Sequence, residues 1–389
     1  MVIVDLALHR GTLGLCTCAF AMCFAVSAVR ADSIYIDGVA PGSVFRYGAF
    51  EYKWFSDENG NGLIDYEEVR VNREGRWQQL PDKRSFDQSI IHRRLHRYMQ
   101  DAYVYKETPT RDLTLQIDFP EGWKKTDKRP AMLWFYGGGW GGGTVFHLKP
   151  QSKYFARRGV VGICVDYRVT CRDGMRDRGY TATLDAKTAL RWVHKNAASL
   201  GIDPEKIMAG GASAGGHVAL ATQIPSLNDP GDDTSVSTKL CALILQNPFV
   251  VRANEKSWVF QIDFKTLPAM WIAYGLDDEG SYLDKPGDRR LEKNGESLIK
   301  GAQQAGLPLK TYIKEGFGHG FCSRPPQLAL STWDVDQFLQ KLGILEKGDA
   351  ELPKMSFTKL LRDRMAEIHA GKLKPSEPKM LESVQIIDH

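Results

Sequence analysis

Charge of one sign is nearly absent as an excess: 51 Lys and Arg against 47 Asp and Glu leave +4 over 389 residues. With no basic surplus, and no arginine-rich stripe interleaved with aromatics, the chain lacks the electrostatic footprint of a nucleic-acid binder. Cysteine is scarce. Of seven, Cys16, Cys18 and Cys23 lie in an N-terminal apolar stretch, leaving Cys164, Cys171, Cys241 and Cys322. Four thiols in a domain of this size are too few for a disulfide framework. Cys164 and Cys241 sit in strand-like apolar runs and read as buried, whereas Cys171 and Cys322 each follow a strand end and are candidates for one bridge. No internal repeat is visible. The hydrophobic share of 43% with 25% charge is that of an ordinary globular chain, with room for one large domain or two modest ones.

One long uncharged run exists. "MVIVDLALHR" carries His9 and Arg10, "GTLGLCTCAFAMCFAVSA" follows, and "AVRADS" offers small residues where a signal peptidase reads. The pattern predicts a signal peptide over residues 1–31, cut near Ala28 or Ala31, and hence a secreted or periplasmic protein with no stable membrane span afterwards. The alternative is a retained anchor, for which the run is of minimal length.

Behind it, residues 32–97 are aromatic-rich and broken by Gly and Pro. From about residue 98 short apolar runs ("LTLQIDF", "RPAMLWFYG", "VVGICVDY", "KIMAGG", "LCALILQNP", "AMWIAYG", "LKTYIKE") alternate with amphipathic helical segments such as "TATLDAKTALRWVHKNAASLG". Such alternation predicts an α/β domain over 98–346, with a mostly parallel central sheet covered by helices on both faces. Residues 347–389 are polar and Lys-rich, and read as a peripheral tail.

"KIMAGGASAGGH" reads as a strand, a turn and a helix, and Gly211 to Gly215 fit G-x-S-x-G around Ser213. Small flanking residues are needed where a serine is held in a strained turn at a strand tip. "FYGGGWGGGT" follows another strand upstream, and its glycine amides are candidates to stabilise an oxyanion. A base is needed beyond Ser213 in the order serine, acid, histidine. His217 lies within the elbow helix, His369 and His389 lie in the tail, and His319 in "KEGFGHGF" is left. "YGLDD" offers Asp277 and Asp278 as the acid.

Taken in order, "WFYGGGWGGGT", "VDYR", "LDAKTALRWVHKNAASLGIDPEKI", "GASAGGH", "YGLDD" and "GFGHGF" resemble the α/β-hydrolase-fold serine esterases. The resemblance is to the branch that joins hormone-sensitive-lipase-like enzymes with bacterial carbohydrate acetyl and feruloyl esterases. The resemblance implies Ser213 as nucleophile, His319 as base, Asp278 rather than Asp277 as acid, and the amides of Gly138, Gly139 and Ala214 as oxyanion donors. It implies no cofactor for catalysis and a small-molecule or carbohydrate ester as substrate. Asp185 and Arg168 match positions read as scaffold. Two departures stand out: Tyr136 replaces the histidine that usually precedes the three glycines, and the interval from acid to histidine is long. A serine peptidase of the prolyl-oligopeptidase kind shares the triad, but there is no propeller-sized N-terminal domain. A catalytically inactive calcium-binding protein of this fold is the other alternative.

"DENGNGLIDYEE" matches a calcium loop of the EF-hand kind. It sets Asp57, Asn59, Asn61 and Asp65 as side-chain ligands, Leu63 as carbonyl ligand and Glu68 as bidentate ligand, with Gly62 at the sharp turn. A weak structural calcium site is expected there, and the alternative is a solvated Asn/Gly turn. His92 and His96 are spaced one helical turn apart without a carboxylate between them, and read as a basic helix. Trp140, His147, Tyr180, Trp258 and Trp271 are candidates to line the substrate pocket, with a place in the core as the alternative; His217 is expected to pack beneath the elbow.

Overall fold

The computed structural model describes residues 3–4, 33–34, 40–47, 49–56, 64–65, 68–80, 101–177, 179–252, 262–278, 292–293, 295–348 and scattered positions between 355 and 380. The reading of an exported leader falls mostly outside them. Only Ile3–Val4 is described there, as a short strand parallel to residues 44–45. His92, His96 and Trp258 also lie outside the described residues.

Four antiparallel strands, joined at one edge by the parallel Ile3–Val4, form a small N-terminal sheet: β1 (Val44–Tyr47), β2 (Phe50–Trp54), β3 (Val69–Arg73) and β4 (Arg76–Gln79). Its buried face carries Phe45, Tyr52, Trp54, Val69 and Val71, and Phe45 stacks on Tyr52 at 5.6 Å. Period-two alternation in "FEYKW" puts the aromatics on that face.

The main sheet has eight strands: β5 (Ala102–Lys106), β6 (Leu113–Asp118), β7 (Arg129–Phe135), β8 (Val161–Val165), β9 (Ile202–Ala212), β10 (Ala242–Gln246), β11 (Ala269–Gly275) and β12 (Leu309–Lys314). Their order is β12-β11-β10-β9-β7-β8-β6-β5. All pairs from β8 to β12 are parallel, and β6 and β5 add antiparallel strands at one edge. The central strands are buried on both faces; in β10 all five residues are buried, so it reads as the continuous apolar run "ALILQ". Helices α1 (Lys149–Arg157), α2 (Tyr180–Lys195), α3 (Ala214–Ala221), α4 (Gly295–Gln304) and α5 (Gln327–Lys341) connect or flank the strands. The α/β-hydrolase architecture expected from the sequence is the one observed.

This order matters for function. The chain leaves β7 through α1 to β8 on one side, then returns through α2 to β9 on the other. The carboxyl ends of β7 and β9 therefore flank the point where the winding reverses, and a crevice opens there.

The tail departs from the peripheral role expected of it. Lys379 pairs beside Tyr103 on the edge strand β5: its N–H donates to Ala102 O at 2.7 Å, and its carbonyl accepts from Val104 N at 3.0 Å. Ile368 is buried in the main core. The tail covers an edge that would otherwise present unpaired backbone groups.

Candidate active site

Ser213 stands between β9 and α3 with φ 55° and ψ −120°. A left-handed backbone in a non-glycine residue stores about 1–3 kcal/mol. The neighbours over-determine it. Ser213 N–H donates to Gln246 O of β10 at 2.8 Å, and Ser213 O accepts from His217 N and Phe249 N, both at 3.1 Å. A Cβ at Gly211 would lie 2.3 Å from Gly215 carbonyl atoms, and one at Gly215 would lie 2.0 Å from Phe135 O. The two glycines of the motif are therefore required by close approach of backbone to backbone, and the hydroxyl is presented at the sheet's carboxyl edge.

His319 Nε2 lies 2.7 Å from Ser213 Oγ, and its Nδ1 lies 2.7 Å from Asp278 Oδ2. Asp278 is buried and Asp277 is exposed, so the alternative left open by the sequence resolves onto Asp278 geometrically. The histidine loop is locked against the end of β11. Asp277 N–H donates to Phe317 O at 3.0 Å, and a Cβ at Gly275 would lie 1.9 Å from that same oxygen. Asn247 was not anticipated. Its Nδ2 donates to Asp278 Oδ2 at 3.2 Å from a buried position with φ 44°, a backbone that asparagine tolerates better than most residues. The only sequence hint is its place just after β10, where an Asn-Pro pair ends the strand.

The glycine loop follows β7. Gly138 has φ 143° and Gly139 has φ 59°; a Cβ at Gly138 would lie 2.3 Å from Gly142 O. Among the described residues, no partner accepts from the N–H of Gly138, Gly139 or Ala214. Beside them, Gly137 approaches Ser213 closely enough that its Cβ would lie 3.2 Å from the serine Cβ.

Two sets of buried polar contacts fix this loop. In the first, Gly137 N–H donates to His147 Nδ1 at 3.1 Å. With Nδ1 an acceptor, the neutral ring carries its proton on Nε2 and donates it to Ser323 Oγ at 2.9 Å. Burial pulls this imidazole down to about 4. His147 therefore supports the loop from behind, whereas the sequence suggested a place in the pocket wall. The second set accounts for Tyr136. Its ring stacks on Tyr167 at 4.1 Å, its hydroxyl accepts from Arg172 at 2.6 Å, and it faces Asp166 Oδ1 at 3.0 Å and Tyr167 O at 2.9 Å. Arg172, fully buried, also donates to Gly143 O at 2.8 Å. Arg111 bridges Asp166 and Asp173 behind it. The phenol thus ties the loop to a buried ionic cluster, in the position where related chains are expected to carry histidine.

The remaining candidates separate. Trp140 packs edge-on against His217 at 5.0 Å and Phe249 at 5.9 Å, and it lines a cleft of about 180 Å³ with Gly139, Arg168, Thr170, Arg176 and Gly179. Tyr180 is exposed at the start of α2. His217 donates from Nδ1 to Phe249 O at 2.9 Å under the elbow, and burial pulls it to about 4. Trp271 is a buried core residue of β11, its indole donating to Asp334 at 2.8 Å. Cys171 and Cys322 are both free thiols, so the bridge entertained from sequence is not made. Arg168 holds Asp185 through two bonds of 2.7 and 2.9 Å, joined by Lys106 at 2.7 Å: a scaffold cluster.

Of the calcium-loop ligands, Asp57, Asn59, Asn61 and Leu63 lie outside the described residues, and Asp65 is described only as backbone in a short strand paired with Ser33–Ile34. The loop joins β2 to β3 rather than two helices, because the preceding segment is a strand. Its ends are closed by Phe55 N–H donating to Glu68 O at 2.9 Å. Glu68 is buried, with Oε2 accepting from the Trp54 indole at 3.2 Å. A buried carboxylate at the twelfth position of a closed loop suits a cation.

Comparison with known proteins gives a consistent answer. A family profile described as BD-FAE matches residues 115–237. An AB hydrolase superfamily protein of Schizosaccharomyces pombe is 30% identical over 163 residues, covering 39% of this chain and 45% of that one. A carboxylesterase of Mycobacterium tuberculosis is 36% identical over 95 residues, covering 24% and 28%. The chain thus spans less than half the length of these curated relatives. Among solved structures, esterase 2 of Thermogutta terrifontis superposes with a TM-score of 0.55 at 33% identity, over 64% of this chain and 98% of that one. Other structures of that esterase are described as propionate-bound, butyrate-bound and phosphorylated by paraoxon. A solved esterase matched almost end to end, at a third of its residues identical, settles the family: the chain belongs to the α/β-hydrolase-fold esterases.

Proposed function

We propose that the protein is an exported serine carboxylesterase that hydrolyses small acyl esters, acetyl or feruloyl groups on carbohydrate among them, through an acyl-enzyme. The observation that carries this reading is the unbroken line from Ser213 Oγ through His319 to Asp278, at 2.7 Å and 2.7 Å, beside the amides of Gly138 and Gly139, which have no acceptor among the described residues. His319 takes the serine proton as Ser213 attacks the ester carbonyl, and returns it to the leaving alcohol. Asp278, itself held by Asn247, fixes the histidine tautomer and stabilises the imidazolium. The amides of Gly138, Gly139 and Ala214 receive the oxyanion. A water activated by the same histidine then releases the acid. Small acyl groups are favoured by the short-chain acids found on the Thermogutta esterase.

Calcium is the second part of the proposal. The loop 57–68 would hold it through Asp57, Asn59, Asn61, Leu63, Asp65 and Glu68, bracing the N-terminal sheet and taking no part in the reaction. The test is turnover of p-nitrophenyl acetate, butyrate and octanoate by wild type and Ser213→Ala, with calcium and with EGTA. Expected are short-chain preference, loss of turnover in Ser213→Ala, and a lower melting temperature in EGTA. Equal rates for all three esters would remove the small-acyl assignment.

A further inference from the structure

A second cavity of about 190 Å³ opens between the N-terminal sheet and the glycine loop, lined by Tyr52 and Arg73 on one side and Gly141, Thr170 and Arg176 on the other. Thr170 and Arg176 also line the first cleft, together with Gly139. The two spaces therefore adjoin, and a substrate seated at the glycine loop reaches the N-terminal sheet. That sheet is docked by Ala49 N–H on Arg172 O at 2.6 Å.

The charge of this extension is unusual for the molecule. Arg168 in the first cleft is neutralised by Asp185. Asp177 is occupied by Thr181, whose N–H it accepts at 3.0 Å. Arg73 and Arg176 are exposed, and neither makes an ion pair or hydrogen bond with any described residue. Among the described residues, no carboxylate lines the second cavity. Arg73 moreover sits directly across from Arg76, a like-charge cross-strand pair that costs stability. Two guanidinium groups facing one cavity, with no counter-ion among the described residues, suit a planar carboxylate.

Resting on the esterase reading above, we infer that the cleft between the N-terminal sheet and the glycine loop binds the carboxylate of an acidic sugar, so that the substrate is an acyl ester on a uronic-acid-bearing carbohydrate. Arg176 and Arg73 are then specificity-determining residues, and the N-terminal sheet is part of the substrate site.

The experiment compares an acetylated xylo-oligosaccharide carrying one uronic acid with its neutral counterpart. Wild type, Arg176→Gln, Arg73→Gln and the double variant are assayed for kcat/KM, and binding of both sugars to Ser213→Ala is measured by calorimetry. Wild type is expected to favour the acidic sugar by about tenfold, mostly in KM. The double variant is expected to lose most of that ratio. Raising salt from 0.1 to 1 M shortens the screening length from about 10 to about 3 Å and is expected to shrink the ratio as well. Equal kcat/KM for the two sugars in an enzyme that still hydrolyses p-nitrophenyl acetate would overturn the inference while leaving the esterase intact. If no ester is turned over, a tenfold preference for the acidic sugar in the binding arm still supports the cleft assignment, and equal binding refutes it.

Discussion

His147 is the residue whose replacement tests most about how the glycine loop is held. In His147→Ala the buried Gly137 N–H loses its acceptor at 3.1 Å, and Ser323 loses its donor at 2.9 Å. An orphaned buried amide costs about 1–3 kcal/mol. Loss of a whole oxyanion donor costs about 10²–10³ in kcat. Here the donors move rather than vanish, so a fall of about tenfold to a hundredfold in kcat is expected, with KM little changed. His147→Asn is the control, because its Oδ1 lies near the position of Nδ1 and can accept from Gly137. It should recover most of kcat, and most of the urea midpoint lost in the alanine variant. Steady-state hydrolysis of p-nitrophenyl butyrate and urea unfolding supply both numbers. A raised KM with kcat within twofold of wild type would refute the reasoning, and would return His147 to the pocket wall.

Four further outcomes follow from the same contacts. Asn247→Asp keeps a residue that tolerates φ 44° but replaces the donor to Asp278 with a second carboxylate; like-charge repulsion should displace Asp278 and lower kcat on p-nitrophenyl acetate with KM little changed, and an unchanged kcat would mean that Asn247 does not position the acid. Tyr136→Phe strips the hydroxyl from buried Arg172 and should cost about 1–3 kcal/mol of stability, read from urea midpoints. His147 and His217 are held neutral in the fold, near 4, whereas the unfolded chain protonates near 6.5. The stability they contribute is whole above about pH 6.5 and falls as pH drops towards 4, by up to about 1.4 kcal/mol per unit for each group; equal urea midpoints at pH 7 and pH 5 would contradict their neutral burial. At 10 mM calcium, a loop with a dissociation constant of about 0.1–1 mM gains about 1.4–2.7 kcal/mol, which Glu68→Gln should reduce in a calcium titration of the melting temperature.

The parts of this molecule written in local pattern were legible in advance. Continuous apolar runs such as "ALILQ" mark strands buried on both faces, and G-x-S-x-G marks a turn where only glycine clears the neighbouring backbone, as Gly211 and Gly215 do here. Contacts between distant segments were not legible. Asn247 meets Asp278 across 31 residues, and His147 meets Ser323 across 176; nothing in either local sequence names its partner. Tyr136 was visible as a departure, but the arginines and aspartates that compensate it arrive from two other segments, around residue 111 and over 166–173. The calcium-loop motif itself is silent on what precedes it, whereas the alternation of "FEYKW" marks the strand that does. In the tail, a polar composition concealed a backbone pairing at Lys379 that depends on no side-chain pattern.

The central claim is that Ser213 is a nucleophile activated by His319. The most direct measurement is the site of covalent labelling by a fluorophosphonate probe, read by peptide mass in the full chain with calcium present. The account predicts one adduct, on Ser213, which disappears in Ser213→Ala and is strongly slowed in His319→Ala. A folded protein that takes no adduct, or takes it on another serine, would contradict it.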